Sequence, residues 1–187
     1  MKAKRSEHRG EVVLELDRGD ESLLAAAGAG RAASLLRLKK ILVPIDFSDC
    51  SKKALQYAIP LARQHEAALT LLYVVPTPNF IGGEYTGIEY ARFEDDQAAS
   101  GGKQLDALVA NEVHGEVPAE TLVRPGMPVV EILEAARALP ADLIVISTHG
   151  RTGLKHVLLG SVAEDVVRRA PCPVLVVREH EHDFVAG

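Results

Sequence analysis

From Lys40 onward the sequence alternates short apolar runs with longer amphipathic stretches. The runs are rich in β-branched residues and are apolar nearly throughout, as expected of parallel strands covered on both faces. The amphipathic stretches repeat apolar residues at helical spacing, so each can bury one stripe on a sheet. This alternation predicts an α/β fold with five strands, at Ile41–Ile45, Leu69–Val75, Glu120–Val123, Leu143–Ile146 and Val174–Val177.

The stretches between the runs predict four helices. The first contains Pro60, which removes a backbone donor, but its apolar face continues past the proline. The second is expected within Asp95–Val113, where Gly101-Gly102 can delay its start, and Pro76–Ser100 is expected to be a surface loop. Gly126 and Pro128 introduce the third helix. The last is expected to bury Val162, Val166, Val167 and Ala170.

The first strand contains a proline at an informative place. Pro44 cannot donate a ladder hydrogen bond, so strand pairing is expected to end near it. Ile45 and Asp46 would then turn over the end of the sheet. Asp46 could serve there as a turn acid or as a group that helps the helix beginning near Ser48.

Residues 1–37 lie outside the alternation and are expected to form an N-terminal extension, partly helical or disordered, ahead of one domain at 38–187. The extension includes a strand-like run, Val12–Leu16. It also contains Gly28-Ala-Gly30-Arg-Ala-Ala33, which fits a dinucleotide fingerprint. No β-branched strand precedes this motif and no full crossover helix follows it, so an Ala/Gly-rich helix or loop is favoured.

Composition restricts the partners and the compartment. A net charge of −5, with no cluster of Lys or Arg among aromatics, argues against nucleic acid. No apolar run reaches the roughly 18 residues needed to cross a bilayer, and acidic residues offset the basic start of the chain. Cys50 and Cys172 lack metal-site spacing and are expected to be reduced packing thiols. A cytoplasmic protein that binds no membrane is therefore expected.

The segment STHGRTGLKHVLLGSV, residues 147–162, joins the fourth strand to the last helix. Glycines let backbone N–H groups turn toward a ligand, and the positive end of a helix favours an anion, so a phosphate site is plausible. A Walker A motif is absent. The alternative is structural: the glycines are turn residues, and Ser161 with Glu164 forms a capping box that satisfies the helix donors without a ligand.

Four segments together resemble the universal stress proteins: KKILVPIDFSDCS at 39–51, LLYVV at 71–75, RPGMP at 124–128, and STHGRTGLKHVLLGSVAEDVVRRAPCPVLVV at 147–177. The nucleotide-binding branch of that family carries G-x2-G-x9-G-S/T. Gly150, Gly160 and Ser161 match the motif, and Ser147 replaces its first glycine. A serine would hinder a site that needs a positive φ at this position.

The resemblance implies an open parallel sheet of order 3-2-1-4-5 with helices on both faces, similar to the adenine nucleotide alpha-hydrolases. The ends of strands one and four then lie side by side at the switch point. By the same resemblance, Asp46 accepts a hydrogen bond from the adenine amino group. The remaining implied contacts are Pro44 and the Val74 backbone at the adenine, Ile146 and Ser147 near the ribose, and Gly150, Gly160, Ser161 and Val162 at the phosphates.

The resemblance further implies an ATP-binding protein of stress response or regulation, with Mg²⁺, at most slow hydrolysis, and a homodimer paired through Val174–Val177. No catalytic residue and no protein metal site are expected. Two alternatives stay open: a nucleotide hydrolase or transferase on the same fold, and a dimeric interaction protein that binds no nucleotide. His149 and His156 could touch a phosphate but are expected to be turn residues, and Arg151 and Lys155 could either offset phosphate charge or lie on a solvated loop face. The acids and histidines of the tail, 179–183, resemble a metal-binding tract, but a solvated terminus is favoured.

Overall fold

The computed structural model describes residues 2–5, 12–15, 37–76, 87–150 and 159–178. The chain divides into two units, Met1–Arg37 and Leu38–Gly187. In the first unit, β1 (Lys2–Arg5) pairs antiparallel with β2 (Val12–Glu15), so most of the strand-like run Val12–Leu16 is a strand. The Gly28–Ala33 motif lies outside the described residues.

The second unit is built on a five-stranded sheet. All four pairings in it are parallel, and the strand order is β5-β4-β3-β6-β7, which is the predicted order 3-2-1-4-5. Each predicted apolar run lies within a strand, with the largest extension at the carboxyl end of β5. The strands are β3 (Lys40–Ile45), β4 (Ala68–Pro76), β5 (Ala119–Gly126), β6 (Leu143–Ser147) and β7 (Val174–Val177).

Helices cover both faces of this sheet. Residues of α1 (Asp49–His65) and α2 (Gly87–Leu108) bury one set of strand side chains, and a π-helical turn, Val109–Val113, continues α2. Residues of α3 (Pro128–Ala138) and α4 (Ser161–Arg169) bury the other set. Val74 and Ile146 lie on the face that α3 and α4 cover.

The first helix is continuous through Pro60, as predicted. Ser48 is its N-cap, and the Ser48 hydroxyl accepts a hydrogen bond from the Ser51 N–H at 3.2 Å. Ala54, Leu55, Ala58 and Ala62 are fully buried on the sheet. Burial of this stripe offsets the donor that the proline removes.

The second helix differs from its prediction. It begins at Gly87 rather than within Asp95–Val113, so the prediction of a loop at Pro76–Ser100 is wrong from Gly87 onward. The loop prediction is also wrong at Pro76, which ends β4, and residues 77–86 lie outside the described part. Gly101-Gly102 lies inside the helix. A Cβ at Gly101 would overlap the Tyr73 ring of β4, so the glycine allows the helix to approach the sheet closely. Packing therefore overrides the low helix propensity of glycine.

The last helix also differs in part. Val166 and Ala163 are buried, whereas Val167, predicted to lie on the buried face, is 46% exposed. Adjacent helical residues are separated by about 100°, so a helix that turns Val166 toward the sheet turns Val167 away from it. The buried stripe of α4 is narrower than the apolar pattern indicates.

Among the described residues, no helix combines the length and the apolar character that a membrane span requires.

The two adjacent glycines of α2 provide a matched test of this packing. Gly101→Ala should lower the free energy of unfolding by about 1–3 kcal/mol, because the added methyl group has no room against Tyr73. At Gly102 the nearest atom to an added Cβ is 3.9 Å away, on Val123, so Gly102→Ala should raise stability by about 0.5–1 kcal/mol. Urea unfolding followed by circular dichroism measures both changes. Equal effects of the two substitutions would contradict the close contact.

Candidate functional site

The site begins where the two central strands separate. The ladder between β3 and β6 contains only the pairs Ile41↔Leu143 and Leu42↔Ile144, whereas β3 stays paired with β4 as far as Ile45↔Tyr73. The Lys40 carbonyl accepts a hydrogen bond from the Asp142 N–H. The backbone polar groups of Lys40 and of every second residue after it therefore point toward β6. Pro44 is one of these residues and has no N–H to donate. Pairing thus ends near Pro44, as predicted, but only on the β6 side.

Three of the predicted site residues share one face of the sheet at this opening. Side chains alternate along a strand, and Leu42, Leu72 and Ile144 are buried beneath α3 and α4. Pro44, Val74 and Ile146 each lie two residues further along the same strands and therefore on the same face. Val74 and Ile146 are buried and Pro44 is half-buried. The three form an apolar wall across β4, β3 and β6.

Asp46 lies immediately beyond β3 and contacts both sides of the opening. Its Oδ1 accepts hydrogen bonds from the Ser48 N–H at 3.1 Å and from the Ser48 hydroxyl at 2.5 Å. Its Oδ2 lies toward the loop after β6, since a Cβ built on Gly150 would be 2.5 Å from it. The carboxylate is thus a turn acid through one oxygen and faces the predicted ligand loop with the other.

The loop after β6 begins with buried polar residues. The Ser147 hydroxyl donates to the His149 carbonyl at 2.9 Å, so this side chain folds back into the loop. Ser147 is not among the described non-glycine residues with positive φ. The serine therefore occupies the first glycine position of the motif without left-handed strain.

Thr148 joins the two ends of this loop. Its N–H donates to the Val177 carbonyl at 2.8 Å, and its carbonyl accepts a hydrogen bond from the Gly160 N–H, also at 2.8 Å. A Cβ at Gly160 would lie 2.8 Å from that same carbonyl oxygen, so only glycine fits here. The sequence interpretation missed this role of Thr148. A small polar residue directly after a buried strand was the available signal. Arg151, Lys155 and His156 lie outside the described residues.

The amino end of α4 follows directly. Gly160 is the N-cap, no side chain caps the helix, and Ser161 is its first residue. The Glu164 carboxylate instead pairs with Arg168 at 2.8 Å. The capping box between Ser161 and Glu164, which was the structural alternative for this segment, is therefore not formed: the N-cap is Gly160, one residue earlier, and its N–H donates to the Thr148 carbonyl. The N–H groups of Ser161 and Val162 are in the positive first turn of the helix.

Cys172, which lies just before β7, is not a reactive thiol. Burial, and next the Asp142 carboxylate, raise the pKa of the Cys172 thiol, against an opposing hydrogen bond at the Ile144 backbone. The thiol is therefore protonated at neutral pH, as suits a packing residue. In the described part of the chain, no three His, Cys, Asp or Glu side chains come together as metal ligands. The tail at 179–183 lies outside that part.

A family model for the universal stress proteins matches residues 37–178. The chain belongs to the universal stress protein family. It is 39% identical over 146 residues to universal stress protein MJ0531 of Methanocaldococcus jannaschii, a match that covers 75% of this chain and 82% of the relative. It is 37% identical over 145 residues to universal stress protein YxiE of Bacillus subtilis, covering 74% of this chain and 98% of that protein.

Solved structures of the family have the same fold. Universal stress protein UspA from Lactobacillus plantarum superposes with a TM-score of 0.64 at 32% identity, over 76% of this chain and 99% of its own. Two more distant universal stress proteins have nucleotides bound. One is in complex with cAMP (TM-score 0.56, 23% identity), covering 75% of this chain and 97% of its own. The other, from Arabidopsis thaliana, has AMP bound (TM-score 0.54, 21% identity), covering 76% and 92%.

The approach of Asp46 to Gly150 can be tested by a double-mutant cycle on stability. Gly150→Ala should lower the free energy of unfolding by about 1–3 kcal/mol, since the new methyl group would displace a carboxylate that Ser48 holds. In an Asp46→Ala background the same change should cost less, with a coupling above about 0.5 kcal/mol. Urea unfolding of the four proteins measures the cycle. Additive effects would show that the two residues do not meet.

Proposed function

We propose that this universal stress protein binds an adenine nucleotide, ATP with Mg²⁺, at the opening between β3 and β6, and acts in stress response or regulation through the bound state. The observation that carries the proposal is the position of the Asp46 carboxylate, with Oδ2 toward Gly150. A group that can read a base thus lies beside a loop that can hold phosphates.

The base end of the site would be formed by Asp46 with Pro44 and Val74. A carboxylate only accepts hydrogen bonds and the 6-amino group of adenine donates them, so Asp46 placed at the 6-position of the base favours adenine over a 6-oxo purine. Pro44 and Val74 supply apolar surface next to the base. The backbone of Val74 would add a contact at the edge of the base. The Ala68 N–H donates to the Lys39 carbonyl, so the backbone polar groups of every second residue of β4 after Ala68, including Val74, point toward β3.

The phosphate end would be formed by Gly150, Ser161 and Val162, with Gly160 beside them as the N-cap whose own N–H donates to the Thr148 carbonyl. Since no side chain caps α4, the N–H groups of its first turn are available to a ligand, and the helix dipole favours negative charge there. The absence of a Ser161–Glu164 capping box supports this assignment, because a side-chain cap would have used the same donors. Ile146 and Ser147 lie between the two ends, where the ribose would bind.

The relatives support the same site class. The fold is shared with universal stress proteins that have cAMP and AMP bound. Ser147, the departure from the family motif, is compatible with it because its φ is not positive and its hydroxyl bonds within the loop. Ser147 therefore need not mark a lost site.

We propose binding with slow turnover at most, because backbone N–H groups and a serine hydroxyl form the phosphate end. Efficient phosphoryl transfer also needs a group that positions or deprotonates the attacking water. Mg²⁺ would be held chiefly by phosphate oxygens and water, and the Ser161 hydroxyl is the protein oxygen that we assign to it.

Asp46→Asn gives the sharpest test of the base end. Asparagine can keep its oxygen on Ser48 and present an NH₂ group to the base, which reverses the hydrogen-bond preference. We expect ATP to bind about tenfold more weakly and inosine triphosphate, which has a 6-oxo group, to bind more tightly than to the wild type. Calorimetric titration of both nucleotides with Mg²⁺ measures the change, and mass spectrometry identifies any ligand that copurifies.

Asp49→Ala is the matched control for this test. Asp49 is an acid three residues from Asp46, and its side chain is 94% exposed. The Asp49→Ala variant should bind both nucleotides as the wild type does. A wild type that gives no heat at millimolar ATP and carries no copurifying nucleotide would overturn the proposed function. Unchanged selectivity in folded Asp46→Asn would overturn the role of Asp46.

We also propose that two copies pair through β7, the edge strand beside β6. The Ile144 N–H donates to the Pro173 carbonyl and the Thr148 N–H donates to the Val177 carbonyl. The backbone polar groups of the odd-numbered residues of β7 therefore point toward β6, and those of Val176 point outward. An outward row of backbone groups on a short apolar strand suits antiparallel pairing with a second copy.

Val176→Pro tests this pairing, because it removes an outward N–H and leaves the ladder to β6 intact. The wild type should have a mass twice the 20.1 kDa of the chain, and the variant should have the mass of one chain. Multi-angle light scattering measures both. Val130→Lys, a change at an exposed apolar residue of α3, should leave the dimer unchanged. A wild type with the mass of one chain would refute the dimer.

A further inference from the structure

Phe47, the residue after Asp46, has an unusual backbone conformation. Its φ is 66°, in the left-handed region that favours glycine and disfavours bulky side chains. It lies between Asp46, beyond the end of β3, and Ser48, the N-cap of α1. A bulky residue persists in such a conformation only where the surrounding structure holds it.

The aromatic ring of Phe47 shows what holds it. Its centroid is 4.8 Å from that of Tyr73, with the planes tilted by 47°, an arrangement that favours attraction between aromatic rings. Tyr73 is buried in β4, and Gly101 of α2 lies directly against the Tyr73 ring. The Phe47 ring therefore anchors the turn to the sheet and to α2, on the face opposite Pro44, Val74 and Ile146.

This anchor determines the direction of Asp46. On one side, Ile45 is paired with Tyr73 in the sheet, and on the other, Ser48 binds Asp46 Oδ1 through both its N–H and its hydroxyl. The left-handed residue joins these two fixed points. A different φ at residue 47 would move Ser48 relative to β3 and rotate the carboxylate away from Gly150.

We propose that Phe47 is a positioning residue for base selectivity: its anchored left-handed conformation holds the Asp46 carboxylate in the orientation that distinguishes a 6-amino from a 6-oxo purine. This inference rests on the proposed nucleotide site. Phe47 acts through Asp46 and does not itself contact the base. The first turn of α4, with Ser161 and Val162, is a separate element, so we expect the phosphate contacts made there to survive a change at residue 47.

The test compares ATP and inosine triphosphate affinities in Phe47→Gly, Phe47→Tyr and Tyr73→Leu. Phe47→Gly allows the same φ but removes the ring, so the turn loses its anchor. ATP affinity should fall about tenfold while inosine triphosphate affinity stays within about twofold, so the ratio of the two collapses. Phe47→Tyr keeps the ring and should keep the ratio. Tyr73→Leu leaves residue 47 intact, removes the partner ring and should lower the ratio as well.

Calorimetric titration with Mg²⁺ gives the affinities, and circular dichroism confirms that each variant is folded. Phe93→Ala is the control, since it removes a phenyl ring that is 49% exposed on α2 and should leave the ratio unchanged. If Phe47→Gly does not fold, Tyr73→Leu decides the question. Selectivity for ATP that survives in the folded variants would overturn the role of Phe47 alone. A wild type that binds neither nucleotide would overturn the nucleotide site together with this inference.

Discussion

Pro44 lacks a backbone N–H on the side of β3 that faces β6, and the two central strands part after Leu42↔Ile144. On its other side β3 remains paired with β4 through Ile45, so the opening forms on one side of a rigid strand. The missing donor thus coincides with the end of this ladder, at the point where the strand order reverses, and the proposed site uses the opening that begins there.

Small residues allow backbone and side chains to approach closely around this cleft. Gly150 leaves space for the Asp46 carboxylate, and Gly160 leaves space for the Thr148 carbonyl. Thr148 connects β7 with the start of α4 through its own backbone groups. The loop is therefore fastened at both ends by main-chain hydrogen bonds, and the first turn of α4 keeps donors that a side-chain cap would have used.

The two faces of the sheet have different roles, and the turn after β3 connects them. On one face, Pro44, Val74 and Ile146 form the apolar wall of the proposed site. On the other, the Phe47 ring packs against the Tyr73 ring, and Gly101 of α2 makes room for the Tyr73 ring. Because the turn joins both faces, a packing contact distant from the ligand can orient the acid that would read it.

The sequence by itself determined the α/β fold class, because parallel strands buried on both faces leave continuous apolar runs. The segments that resemble the universal stress proteins then implied the family and the strand order. The sequence also named the residues at the opening, through the family motif. Tertiary structure alone decided three points. Contact with Tyr73 kept Gly101 inside α2, a bond to Thr148 moved the α4 cap to Gly160, and the turn at Phe47 brought Asp46 to Gly150. Each depends on atoms distant in sequence, whose approach no local propensity encodes.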